Sequence, residues 1–295
     1  MHVLYYLDII REIFNNLDLI HQIKFIQINK YFNMNFQITD LYYIDNKYIH
    51  KIDEIILNNY PFINKLNISN NNKIININFL TNLKSLNCTN NKLSDDRLKN
   101  IKLTKLNCSF NPHIKDISHM NNLKNLDCSY NNIISDDDIK NLDLIKLNAS
   151  ASDKIKNIDH MTNLKILHCE NSCGISDDNI KNLDLIELNM YNNAKIKNIK
   201  HMTNLKILDI GVFFDTRFNL NDENIMNLNL EILHASNNSR IKYINHMTNL
   251  KNLCITKSCG VSDKNITNLN LTKLVIFLSD TPQLFVIHKF FKFVI

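Results

Sequence analysis

Leu164-Lys165-Ile166-Leu167-His168-Cys169-Glu170-Asn171-Ser172 reads L-x-x-L-x-C-x-x-S, and the same nine-residue frame recurs through most of the chain. Its leading residues are Ile63, Leu83, Leu103, Leu123, Leu144, Leu164, Leu185, Leu205, Leu230, Leu250 and Leu271. These eleven copies follow one another at steps of 20 or 21 residues, with a single step of 25. A fixed period in this range specifies a solenoid, in which each repeat buries its apolar face only by stacking on its neighbours.

Within the frame, alternate residues point to opposite faces of a short strand. Leu86 and Cys88 therefore face inward, whereas Ser85, Asn87 and Thr89 face outward. Stacked strands lie ~4.8 Å apart, so eleven copies make a parallel sheet roughly 50 Å along its curve. The ninth frame position is often Asn (Asn71, Asn91, Asn111, Asn131, Asn193, Asn238). Its amide is expected to satisfy backbone groups buried where the chain turns inward, a task that Ser152, Ser172, Ser258 and Ser279 fulfil only in part. Two repeat types alternate. One reads Ile155-Lys-Asn-Ile158-Asp-His160-Met161-Thr-Asn-Leu164; the other reads Ile175-Ser176-Asp177-Asp178-Asn-Ile180-Lys-Asn-Leu183-Asp-Leu185. The underlying unit is thus about 41 residues. So short a repeat leaves room for turns and single-turn helices opposite the sheet. Ser94, Ser135, Ser176 and Ser262 are placed to cap those helices.

The frame over residues 63–280 resembles leucine-rich repeats, whose L-x-x-L-x-L-x-x-N pattern is met or conservatively replaced in all eleven copies. The resemblance implies an α/β repeat fold: a right-handed solenoid (horseshoe) with a parallel concave β-sheet and short convex turns or helices. Residues 49–62 lead into it through a short helical stretch, Ile52–Leu57, that stops before Pro61. The leucine-rich-repeat domain is therefore assigned to 49–280. Residues 281–295 leave the frame and read as a degenerate C-terminal cap, a truncated repeat or a tail.

Residues 1–48 do not share the repeat. Apolar residues at 9, 10, 13, 14 and 17, then at 19, 20, 23, 26 and 28, have helical spacing, with Asp18 between the two runs. This segment resembles an F-box on Ile9, Ile10, Glu12, Ile13, Phe14, Leu17, Leu19, Gln22, Asn29, Lys30 and Phe32. It departs from that family in lacking the opening Leu-Pro, and it carries Phe32 where Trp is frequent. The resemblance implies binding to the Skp-type linker of a cullin-based ubiquitin ligase through Ile9, Ile10, Ile13, Phe14, Leu17, Leu19 and Phe32. The alternative is a helical cap on an ordinary leucine-rich-repeat binding protein. The whole arrangement, rich in Asn and Ile, is similar to F-box/leucine-rich-repeat proteins of large DNA viruses or AT-rich protists.

Composition narrows the function classes. The net charge of +5 is small for 295 residues, and the basic residues are scattered among acidic ones, unlike the basic face of a nucleic-acid binder. Asp8, Arg11 and Glu12 interrupt the first apolar stretch, so no signal peptide is expected there. No run approaches the ~20 apolar residues of a membrane span, and an intracellular, cytoplasmic chain without membrane association is expected. Seven cysteines contain no C-x-x-C pair, and four of them (Cys88, Cys108, Cys128, Cys169) occupy an inward frame position, where a free thiol behaves as a small hydrophobe. Reduced thiols and no cofactor are expected. His119, His160, His201 and His246 recur in every second repeat, hence ~10 Å apart, too far to share a metal ion. The Asp95-Asp96, Asp136-Asp137 and Asp177-Asp178 pairs read as helix caps rather than calcium ligands, because only three glycines are present to form tight calcium-binding turns. No nucleophile elbow, phosphate-binding loop or dinucleotide-binding turn appears, so no catalytic residue is assigned and the chain is expected not to be an enzyme.

The outward residues of the early copies are bland: Ser85, Asn87, Thr89, then Lys105, Asn107, Ser109. From the sixth to the ninth copy they become mixed. Ile166, His168, Glu170, Glu187, Tyr191, Ile207, Asp209, Ile232 and His234 combine apolar, acidic and aromatic groups, as an interface core does. In the eighth copy Phe213 replaces the ladder residue, and a longer loop adds Phe214 and Phe218. These eleven residues (Phe213 aside) form the candidate surface for a target protein whose identity the sequence leaves open.

Overall fold

A computed structural model of the chain describes residues 13, 15–17, 21–22, 37–42, 49–213, 220–256, 259–277 and 284–288. The chain divides into two compact units, Met1–Leu123 and Lys124–Ile295.

In the first unit, β1 (Asp40–Leu41), β2 (Lys65–Asn67), β3 (Ser85–Asn87) and β4 (Lys105–Asn107) are parallel and paired in sequence order. Asp40 and Leu41 lie inside the stretch assigned to the helical module, yet they form a strand. The Thr39 carbonyl accepts from the Asn64 and Lys65 amides at 2.8 and 3.2 Å, and the Lys65 ammonium pairs with Asp40 at 2.9 Å. Helix α1 (Glu54–Asn58) ends about one turn before Pro61, with the Asp53 carboxylate accepting from the Ile56 amide. A 3-10 turn, Asp95–Arg97, follows β3.

In the second unit, β5 (Asn125–Asp127), β6 (Lys146–Asn148), β7 (Ile166–His168), β8 (Glu187–Asn189), β9 (Ile207–Asp209), β10 (Ile232–His234), β11 (Asn252–Thr256) and β12 (Lys273–Phe277) are again parallel and in order. Of the tail, Leu284–His288 form β13, antiparallel to β12. Single-turn helices α2 (Asp136–Ile139), α3 (Asp177–Ile180) and α4 (Asp222–Ile225) alternate with plain turns, as the two repeat types require. Each unit is thus a stack of leucine-rich-repeat turns.

Three frame positions carry the core. Leu83, Leu86 and Cys88, or Leu164, Leu167 and Cys169, are at most 1% exposed. Across the turn from them, Ile155, Ile158 and Met161 are fully buried, as are Ile241, Ile244 and Met247. Their spacing of three fits consecutive tight turns, in which the Met161 amide donates to Ile158 and the Leu164 amide to Met161. Each fully buried aliphatic side chain contributes ~1.5–3 kcal/mol against exposure. Stacking therefore supplies a stability that no single repeat has.

Two polar columns fix the turns around this core. The inward asparagines Asn71, Asn91, Asn111 and Asn193 donate to backbone carbonyls as expected, whereas Asn238 accepts from the Arg240 amide at 3.1 Å but leaves its amide nitrogen buried without a partner among the described residues. Asn193 is 6% exposed; its amide donates to the Cys169 carbonyl at 2.7 Å, and its oxygen accepts from the Lys195 amide at 2.8 Å. Ser152 donates to the Cys128 carbonyl at 2.9 Å. Ser172 does not join them. It is exposed, and Cys173 turns inward in its place. The reason is the next residue: a Cβ on Gly174 would lie 2.3 Å from the Ile155 carbonyl oxygen, so only glycine allows the chain to pass there. Gly260 meets the Ser239 carbonyl identically. Ser258 and Ser279 lie outside the described residues.

The second column is one position earlier. Asn70, Asn90, Phe110, Tyr130, Ala151, Asn171, Asn192 and Asn237 all have φ between 47 and 59°. Asparagine tolerates this left-handed conformation better than other residues with a side chain, which is why it dominates here.

Candidate functional site

The outward side of β7–β10 is built by register. Ile166, Glu187, Ile207 and Ile232 are consecutive partners across the four strands, and so are His168, Asn189, Asp209 and His234. Glu170 and Tyr191 follow the ends of β7 and β8 and extend the patch by a third row. Nine of the residues read from the sequence thus lie together on one sheet face. Phe214 and Phe218 lie outside the described residues. Phe213, immediately before them, is 63% exposed rather than turned inward as a ladder residue. Val212 keeps the backbone bond of its frame position, donating to the Ser236 carbonyl at 3.0 Å, so the following side chain is directed out.

These side chains hold one another across strands, His168 with Glu187 and Asn189 with Glu170 diagonally, and His234 with Asp209 directly opposite. His168 Nε2 lies 2.7 Å from Glu187 Oε1 and His234 Nδ1 3.3 Å from Asp209 Oδ2. The Asn189 amide donates to Glu170 at 2.9 Å. One edge of the Tyr191 ring packs against Gly211: a Cβ there would sit 3.0 Å from the ring, so the glycine leaves room for the aromatic. Partial burial pushes the Glu170 carboxyl above its usual range, opposed by His168 and reinforced by Asp209. Burial also raises the Tyr191 phenol, with the Asp209 and Glu170 charges adding to it. The face therefore presents an aromatic ring, three isoleucines and half-buried carboxylates that the cross-strand pairs hold in place.

One signal was overlooked in the sequence. The fifth frame position is a column of Asn and Asp whose side-chain oxygens accept from the amide two residues on. Asn67, Asn87 and Asn107 do this in the first unit, and Asp127, Asn148, Asn189 and Asp209 in the second, at 2.9–3.1 Å. Each bond stops a strand after three residues. His168 and His234 interrupt the column, and both reach sideways to a carboxylate instead. The early outward residues are also less bland than they read. Ser85 is only 8% exposed, because it lies in register between Lys65 and Lys105, whose long side chains flank it. Asn87 accepts from both the amide and the hydroxyl of Thr89.

The remaining sequence candidates are structural. His160, His201 and His246 each bring Nε2 to within 3.1–3.3 Å of the last carbonyl of α2, α3 and α4, at Ile139, Ile180 and Ile225. The first aspartate of each pair staples repeats. Asp136 accepts from the Lys156 and Asn157 amides, Asp177 from Lys197 and Asn198, Asp222 from Lys242 and Tyr243. None of the seven cysteines forms a disulfide. Burial pushes the Cys88 thiol up to about 12 and Cys173 to about 11, so both stay protonated and unreactive. Among the described residues no three potential metal ligands cluster, and no helix is long and apolar enough to cross a membrane. Of the linker-binding candidates, Ile13 is helical and 52% exposed, and Leu17 follows a helical turn as a half-buried bend. Ile9, Ile10, Phe14, Leu19 and Phe32 lie outside the described residues.

Fold and frame together define a leucine-rich-repeat fold. An internalin (inlF) of Listeria monocytogenes is similar to it, with 20% identity, coverage of 77% of each chain and a TM-score of 0.50. Internalin C2 (inlC2) of the same organism is 21% identical over 76% of this chain and 84% of that one, with a TM-score of 0.33. A leucine-rich-repeat protein of Leptospira interrogans is 15% identical over 76% of this chain and 82% of that one, with a TM-score of 0.38. No protein-family model and no curated protein sequence matches the chain.

Proposed function

We propose that this chain is a non-enzymatic protein-interaction module that holds a target protein on the open face of β7–β10. The observation that carries the reading is the four-strand row Ile166, Glu187, Ile207, Ile232, with the Tyr191 ring packed against Gly211 beside it. Isolated outward isoleucines would be unremarkable on a sheet. Three in one four-strand row, Ile207 and Ile232 adjacent and Ile166 set off by Glu187, with an aromatic and pre-positioned carboxylates among them, have the composition of an interface core. The half-buried Glu170, Glu187 and Asp209 favour a target segment that brings a basic side chain between apolar ones.

The F-box-like pattern at Ile9, Ile10, Ile13, Phe14, Leu17, Leu19 and Phe32 supports the finer reading, a substrate receptor that docks on a Skp-type linker and cullin. Such a chain performs no chemistry; it raises the local concentration of the target near the ligase. The test is co-purification from cells with the full chain, with Phe14→Asp, and with residues 49–295. Recovery of a Skp-type linker by the full chain alone supports the ligase reading. A target recovered equally by all three, with no linker, leaves a plain leucine-rich-repeat binding protein. Loss of the target on Tyr191→Ala and Ile207→Ala places the contact on β7–β10, and retention by both variants refutes that placement.

A further inference from the structure

Asp143 and Asp184 occupy the same niche in successive double repeats, each directly before a leading leucine. Asp143 takes the Lys124 ammonium at 3.1 Å on one oxygen and the Asn163 amide at 3.0 Å on the other. Asp184 takes Lys165 at 3.1 Å and Asn204 at 2.9 Å. These bonds hold both carboxyls below the usual range, the asparagine contributing most. The niche is therefore built to hold an oxyanion between a lysine and an asparagine amide.

One double repeat earlier, within the first unit, the corresponding residues are Lys84, Lys102 and Asn122. The backbone is equivalent. The Lys84 carbonyl accepts from the Thr104 and Lys105 amides at 2.8 and 3.0 Å, as the Lys124 carbonyl does from Ile145 and Lys146 at 2.8 and 3.1 Å. The charge, however, is inverted: Lys102 stands where the aspartate stood. Among the described residues no carboxylate pairs with Lys84 or Lys102. A cavity of about 370 Å³ opens there, lined by Lys99, Lys102, His119, Asn121 and Asn122 among others. His119 is exposed and, unlike His160, His201 and His246, does not bond a helix-end carbonyl. Asp96 and Asp116 feel the Lys99 charge, but their carboxyls are taken by Ser94 and Ser118.

We propose that this niche binds an external phosphate group, which takes the place of the missing aspartate between Lys84, Lys102 and the Asn122 amide. A phosphate fits better than a second carboxylate because Lys102, Lys99 and His119 line the cavity, and Lys84, at the position from which Lys124 and Lys165 reach their aspartates, has no carboxylate partner among the described residues. The ordinary alternative is a solvated group of surface lysines, and the internal aspartates distinguish the two: Lys102→Asp restores the chain's own anion.

The experiment follows the Asn122 side-chain amide by NMR and the melting temperature of the full chain. Sodium phosphate, a short phosphoserine peptide and its unphosphorylated form are titrated against sodium chloride at matched ionic strength. Wild type should show saturable Asn122 shifts and a phosphate-dependent rise in melting temperature. Lys102→Asp should melt higher without phosphate, weaken binding by at least roughly tenfold, and lose the Asn122 response. Any rise that persists in this variant is the general stabilisation that excluded anions give every protein. Asp184→Lys should create a second responsive amide at Asn204. Saturation by free phosphate shows that the group alone suffices; saturation by the phosphopeptide only assigns it to a modified partner. If chloride reproduces the shifts, or Lys102→Asp leaves them intact, the proposal is overturned.

Discussion

Replacing Asn193 with Leu should cost the second unit about 2–4 kcal/mol, since each buried partner left unpaired is worth ~1–3 kcal/mol. The asparagine is 6% exposed and serves two strong partners, the Cys169 carbonyl at 2.7 Å and the Lys195 amide at 2.8 Å. A third contact, to the Ile175 carbonyl at 3.5 Å, adds little at that distance. Leucine has a similar volume, so the loss reports hydrogen bonding rather than a cavity. Asn193→Ser should fall between the two, because Ser152 shows what a hydroxyl supplies at this position: a donor to the Cys128 carbonyl. A repeat array does not always unfold in one step, so denaturation should be paired with amide hydrogen exchange. Protection should fall first at the Lys195 amide and in the two flanking turns. A stability within about 0.5 kcal/mol of wild type, the range of an ordinary surface substitution, would refute the ladder argument.

Ala151 has φ 56° where most repeats carry Asn, so Ala151→Asn should raise stability by roughly 1 kcal/mol in a denaturant titration. Asp177→Ala removes the acceptor of the Lys197 and Asn198 amides, and those two amides should exchange faster at a cost of about 1 kcal/mol. Glu170 binds its proton more tightly folded than unfolded, so its contribution to stability should decline as pH rises through and above the usual carboxylate range. Glu170→Gln should flatten that decline in melting temperature; an unchanged pH profile would show that the carboxyl is not desolvated. Asn87→Ala should cost about 1 kcal/mol, since its oxygen accepts two bonds from Thr89.

Most of the fold was legible because leucine-rich turns translate period directly into geometry. Leu164, Leu167 and Cys169 could face only one way once the frame was recognised, and burial follows that frame in turn after turn. What stayed hidden were side-chain bonds that no period announces. Ser172 and Cys173 exchange places because of a backbone approach at Gly174, a contact with Ile155 that lies nineteen residues away. Ser85 reads as exposed until the register sets it between Lys65 and Lys105. The candidate site was legible as a change of composition across the sixth to ninth copies. Its diagonal pairing was not, because His168 meets Glu187 only through the register of β7 against β8.

The alternation of repeat types also has a physical cause. A plain turn such as Ile155–Met161 has no helix to absorb its backbone donors, and the Lys156 and Asn157 amides donate instead to Asp136, at the start of α2 in the preceding turn. The debt runs the other way at the helix end, where the Ile139 carbonyl meets His160 of the following turn. Asp177 with His201, and Asp222 with His246, close the same circuit around α3 and α4. Neither type satisfies its turn backbone alone, so duplication preserves the pair, and the 41-residue unit is the smallest segment that contains both turn types. The outward face carries no such obligation apart from the strand-ending Asn and Asp column. His168 and His234, where that column is broken, mark turns at which a side chain has been released from the fold's own bonding to shape the surface.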